Sequence, residues 1–66
     1  MVVYVNGQEE TWSQSITLLA WLESQQMLGK RIAVELNGQI VPKSQFSVVE
    51  VRERDVIEVI SAVGGG

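Results

Sequence analysis

The chain contains no cysteine and no histidine, and a single proline. Without cysteine there is no disulfide, no thiolate nucleophile and no thiolate metal site. Without histidine the commonest acid–base group near neutral pH is missing, and with it the commonest metal ligand. Carboxylates, lysine, arginine, tyrosine and hydroxyls are all that remain for catalysis, so a self-sufficient enzyme is not expected. Basic residues are scarce, five against eight acids, and a net charge of −3 argues against a nucleic-acid surface. No apolar run approaches the roughly 20 residues a membrane-crossing helix needs. The N-terminus does not read as a basic, apolar leader, and the cytoplasm is the expected compartment.

What is present suits one small folded domain. At 66 residues the chain buries about 60% of its unfolded surface, enough for a marginal core. A composition of 45% hydrophobic and 20% charged residues belongs to globular rather than disordered chains.

Val2-Val3-Tyr4-Val5 is β-branched and aromatic and reads as a strand. Asn6-Gly7 marks a tight hairpin turn, with Gln8 to Trp12 as the return strand. After the polar link Ser13-Gln14-Ser15, residues Leu18, Trp21, Leu22 and Gln25 follow helical spacing. Thr17 is the expected N-cap, with Ile16 and Trp21 as a hydrophobic staple, although a start at Ser15 fits too. Gly29 is the expected helix stop, with Lys30 and Arg31 beyond it. Arg31 to Leu36 alternates, with Ile32, Val34 and Leu36 inward and Ala33 and Glu35 outward. A second Asn-Gly, Asn37-Gly38, turns the chain into Gln39-Ile40-Val41, which Pro42 ends. Lys43 to Phe46 reads as an irregular turn returning Phe46 to the core, Ser47 to Val51 as extended or strand-like, and Arg52 to Asp55 as a charged loop. Val56 to Ile60 is the last strand. A hairpin, a helix and further strands are best closed by laying the last strand beside the first, in parallel, across one face of the helix. The expected fold is therefore α+β: a β-grasp, ubiquitin-like roll, a mixed sheet of four to five strands on one main helix.

The chain closes on Ala62-Val63-Gly64-Gly65-Gly66. It is expected to divide into a folded body, residues 1–61, and a flexible tail, residues 62–66. Glycines without Cβ let a backbone thread a narrow channel, and five extended residues span about 17 Å. The terminal carboxylate, ionised at neutral pH, is a poor electrophile until a good leaving group is installed on it.

Trp12, Trp21, Tyr4 and Phe46 are assigned to core packing rather than to a ligand box, because so small a domain needs its large aromatics inside. Glu50, Glu53, Asp55 and Glu58 interleave with Arg52 and Arg54 and read as a solvated charged loop, and the two Asn-Gly pairs as turn chemistry only. On the last strand Ile57 and Val59 should face the helix. Val56, Glu58 and Ile60 should face out and form a candidate docking surface.

The stretch Val34-Glu35-Leu36-Asn37-Gly38-Gln39-Ile40-Val41-Pro42-Lys43-Ser44-Gln45-Phe46 resembles the middle signature of the ThiS family, the sulfur carriers of thiamine biosynthesis. Asp55-Val56-Ile57-Glu58-Val59-Ile60, followed by Ala62-Val63-Gly64-Gly65-Gly66, resembles the family's last strand and tail. One departure stands out: the family usually has Gly-Asp before that strand, where this chain has Arg54-Asp55, which implies a different turn conformation. The resemblance implies a protein co-substrate with no bound cofactor. An E1-like adenylyltransferase of the ThiF type, using ATP and magnesium, would adenylate Gly66. A sulfur donor such as a cysteine desulfurase would supply sulfur to form a thiocarboxylate, and a thiazole synthase of the ThiG type would accept it. Gly64 and Gly65 would thread the partner active site. Other readings are the small subunit of molybdopterin synthase, a ubiquitin-like protein modifier and a non-catalytic β-grasp interaction module.

Overall fold

The two Asn-Gly pairs shape the sheet. Asn6 and Gly7 have φ of 50° and 82°, and Asn37 and Gly38 have 53° and 85°. These left-handed pairs match the twist of the strands they join. The computed structural model describes residues 1–61; the tail assigned to 62–66 lies outside the described residues. The first pair joins β1, Val2–Val5, to β2, Gln8–Thr11, and the second joins β3, Ile32–Leu36, to β4, Gln39–Val41. Between the hairpins lies helix α1, Leu18–Ser24, and a 3-10 turn, Lys43–Gln45, follows β4. The last strand, β5, runs Val56–Ser61. The sheet order is β2-β1-β5-β3-β4, with β5 parallel to β1 and antiparallel to β3. This is the β-grasp arrangement that the order of elements implies, with five strands on one helix.

The core is apolar throughout. Val3 and Val5 of β1, Val34 of β3 and Ile57 of β5 point to one side of the sheet, where they meet Leu18, Trp21 and Leu22 of α1, with Phe46 and Val51 closing the edge. Trp12 stacks on Trp21 with centroids 5.7 Å apart, a pair that contributes about 0.5–1.5 kcal/mol beyond its buried area. Tyr4 departs from the expectation for the aromatics. It alternates with the inward Val3 and Val5, so its half-buried ring lies on the opposite sheet face.

Thr17 caps the helix, its Oγ1 accepting from the Ala20 amide at 3.1 Å. The next two orphan amides explain why Ser47 to Val51 is not a strand. The Leu18 amide donates to the Val49 carbonyl and the Leu19 amide to the Phe46 carbonyl, both at 2.9 Å. The chain from Phe46 turns to offer the Phe46 and Val49 carbonyls to the helix N-terminus, and the segment's one β-bridge pairs Glu50 with Thr17.

The helix stops well before Gly29. Its last residue is Ser24, whose hydroxyl donates to the Trp21 carbonyl at 2.6 Å. Gln26 takes the left-handed position, φ 58°, and its amide donates to the Glu23 carbonyl while Met27 donates to Leu22. That is a Schellman closure, with Met27 and Leu22 both on the core. Gln25 and Gln26 give the apolar face nothing to continue with, whereas Met27 buries only once the chain has turned. Gly29, φ 83°, serves a separate turn into β3.

Candidate functional site

The described part of the site is β5, the strand that leads to the tail. It lies in the middle of the sheet, yet its pairing with β1 covers only Tyr4 with Val56 and Val5 with Ile57. The two hairpin turns complete it. At the first, the Asn6 amide donates to the Ile57 carbonyl at 2.9 Å, and the Asn6 side-chain oxygen accepts from the Val59 amide at 2.8 Å. A side chain thus takes the place of the next residue of β1, where the chain has already turned away. On the other flank the Asn37 amide donates to the Val56 carbonyl at 2.8 Å, and Asn37 Oδ1 accepts from the Val56 amide at 2.9 Å. Asn37 Nδ2 also donates to Asp55 Oδ1 at 3.1 Å. The asparagines, read from sequence as turn residues alone, also hold β5 from both sides.

The loop before β5 is more ordered than a solvated charge run. Asp55 Oδ2 accepts from the Arg52 amide at 2.8 Å, and the Glu53 carboxylate accepts from the Val2 amide at 3.1 and 3.2 Å. The Arg54 amide donates to the Val2 carbonyl at 2.6 Å. Arg54 has φ 67°, the left-handed conformation that glycine adopts freely. The expectation that arginine here changes the turn is therefore corrected: Arg54 holds the glycine-type conformation at a cost in strain.

The faces of β5 divide as its alternation requires. Ile57 is fully buried and Val59 half-buried, while Val56 and Ile60 are 40% and 50% exposed and Glu58 is exposed. Ladder partners extend this outer face. Tyr4 lies across from Val56, Ala33 from Ile60 and Glu35 from Glu58, and Ile40, 69% exposed, lies across from Glu35. The surface is a belt of aliphatics around two carboxylates that oppose one another. Reading β5 alone missed Ile40, Tyr4 and Glu35; the second Asn-Gly turn, which fixes the β3–β4 register, sets Ile40 across from Glu35, whereas Tyr4 and Glu35 reach β5 only through long-range strand pairing. Gly64, Gly65 and Gly66 lie outside the described residues.

The ThiS family model matches residues 1–66. The chain belongs to the ThiS family. It is 36% identical to the sulfur carrier protein ThiS of Bacillus subtilis, over 98% of this chain and 100% of that protein. The crystal structure of the thiamine biosynthesis protein ThiS from Geobacter metallireducens superposes with a TM-score of 0.85 at 28% identity, covering 100% of both chains. The chain is also 38% identical to a region of the thiazole synthase of Paramagnetospirillum magneticum, matching 100% of this chain but only 20% of that protein. The family role is that of a small sulfur carrier in thiamine biosynthesis, and the pinned strand is the part of the fold from which a carrier's tail departs.

Proposed function

We propose that this protein carries sulfur as a thiocarboxylate on Gly66 and delivers it to a thiazole synthase. The observation that carries this reading is the family match, which runs through the Gly-Gly end as well as the folded body. The chemistry follows from the carboxylate. One of its oxygens attacks the α-phosphorus of ATP on an E1-like adenylyltransferase, and pyrophosphate leaves. The acyl adenylate now has AMP as a good leaving group. Attack by hydrosulfide-level sulfur forms the C–S bond, expels AMP and, after loss of a proton, leaves the thiocarboxylate. Where the donor presents a persulfide, its terminal sulfur attacks to give an acyl disulfide, and a thiol reductant then cleaves the S–S bond. A carrier of this kind needs no cysteine. Magnesium and the groups that neutralise phosphate charge belong to the activating enzyme.

In this reading the outer face around Val56, Glu58 and Ile60 docks the activating enzyme, while Gly64 and Gly65 thread its active site. An exposed aliphatic belt on the strand that precedes the tail suits a recognition surface. The regions of two thiazole synthases that match this chain support a thiazole synthase as acceptor. The test is intact mass after incubation with the activating enzyme, ATP and a sulfur donor. Replacement of one oxygen by sulfur, mapped to Gly66, is the expected result. An unchanged mass with an enzyme shown to be active rules the reading out.

A further inference from the structure

On the helix side of the sheet an apolar groove opens between the end of α1 and the 3-10 turn. Leu19, Met27, Leu28, Ile32 and Phe46 line it, and Lys30 and Lys43 stand at its rim. Its volume is about 230 Å³. That is below the roughly 300–1,000 Å³ of a small-molecule site and suits one or two side chains of a protein partner. Leu28, 41% exposed, is presented rather than tucked away.

Charge makes the groove unusual on this chain. The protein has five basic residues and a net charge of −3. Two of the five line the groove, Arg31 follows Lys30 directly, and no acidic residue is among its described lining residues. An apolar floor under a basic rim complements an apolar side chain flanked by carboxylates. Position adds a second argument. Ile32 of the groove is the ladder partner of Ser61, the last described residue of β5. The groove therefore begins where the chain leads on to its tail, on the opposite sheet face from Val56 and Ile60.

We infer that this groove is a second docking site, and that its occupant is a surface segment of thiazole synthase carrying an apolar side chain beside one or more carboxylates. The inference rests on the proposed carrier function. Two thiazole synthases contain a region similar to this whole chain, each match covering 20% of the protein, so this domain type occurs within the same polypeptide as that enzyme. Separate surfaces let one tail serve two enzymes, the activating enzyme on the outer face and the acceptor on the groove.

The experiment measures binding of the full chain to purified thiazole synthase, and adenylation by the activating enzyme, for wild type, K30E/K43E and L28D. All three positions are exposed, so folding is retained and is checked by thermal melting. The double variant is expected to lose about tenfold in affinity for thiazole synthase at low ionic strength, chiefly through slower association, with the gap narrowing as salt rises. L28D is expected to lose affinity at all salt concentrations, and both are adenylated at the wild-type rate. Wild-type affinity in K30E/K43E and L28D overturns the inference. So does self-association of the wild type that K30E/K43E abolishes, since the occupant is then a second copy. Failure of the carrier reading is distinct: wild type itself gains no sulfur at Gly66.

Discussion

Replacing Asn37 tests the hold on β5 most directly. Its side chain accepts from the Val56 amide at 2.9 Å and donates to Asp55 at 3.1 Å, and its backbone sits at φ 53°. Asn37→Gly keeps the left-handed backbone free of strain but deletes both side-chain bonds. At a solvent-accessible site water partly replaces them, so the loss is about 1 kcal/mol. Asn37→Ala deletes the same bonds and keeps a Cβ in the left-handed region without asparagine's local side-chain hydrogen bonding to offset it, a further loss of about 1 kcal/mol relative to glycine. The alanine variant should therefore fall about 2 kcal/mol below wild type, and the glycine variant about half as far. For a 66-residue domain with a total stability of about 3–10 kcal/mol, either is a sizeable fraction.

Urea denaturation measures both. With a slope of about 1 kcal/mol per molar, the alanine midpoint drops by roughly 2 M and the glycine midpoint by roughly 1 M. Amide hydrogen exchange adds the local readout: the Val56 amide loses protection in both variants, while Val59, held by Asn6, keeps it. Equal midpoints for alanine and glycine would refute the strain argument. Wild-type midpoints with unchanged Val56 protection would refute the hold itself.

The remaining predictions concern strain, charge and docking. Gln26→Gly and Arg54→Gly, at φ 58° and 67°, should each stabilise the domain by about 0.5–1 kcal/mol, read as a raised urea midpoint. Glu58→Gln removes a like-charge pair across the β3–β5 ladder and should stabilise by about 0.5 kcal/mol at low salt, the gain shrinking as salt is added. Val56→Asp or Ile60→Asp should weaken docking to the activating enzyme and leave the melting temperature near wild type; normal thiocarboxylation kinetics in both would sink the outer-face assignment. Deleting Gly65 and Gly66 should abolish thiocarboxylation with the urea midpoint unchanged, whereas an interaction module would keep its partner.

Local signals made most of the fold legible. Asn6-Gly7 and Asn37-Gly38 fixed two hairpins because few residue pairs accept positive φ at both positions. Alternation placed Val34, Ile57 and the outward Val56 and Ile60 correctly, since a side chain on a strand has only two sides to choose from. The failures came where tertiary demand outweighs local preference. Gly29 is a good helix stop, yet the helix ends at Ser24, where the turn packs half-buried Met27 against the core and places glutamine where glycine is favoured. Ser47 to Val51 is rich enough in valine for a strand, yet the Val49 carbonyl, with that of Phe46 just before the segment, is drawn to the helix N-terminus. Arg54 was read as altering a turn, when the bonds from its own amide to Val2 and from Asp55 to Arg52 impose the glycine-type conformation on it. The groove at Lys30 and Lys43 had no sequence signature, because its walls come from segments that meet only in the folded chain.

The position of β5 ties these features to the task of a carrier. In the proposed carrier reading, a tail that enters another protein's active site needs a root that does not move, or the docked body cannot aim it. A central strand meets this need, since its backbone is paired on both flanks before the tail begins. Here the parallel ladder to β1 is only two residues long, so the fold relies on the Asn6 and Asn37 side chains to extend the hold to Val59 and to anchor Val56. The same geometry places exposed Ile60 on the outer face and half-buried Ile32, which lines the groove, on the other, both beside the end of β5. A partner gripping either face fixes the tail's origin to within one strand. In the proposed carrier reading, the Gly66 carboxylate is thus presented to the activating enzyme and to the acceptor from one fixed strand.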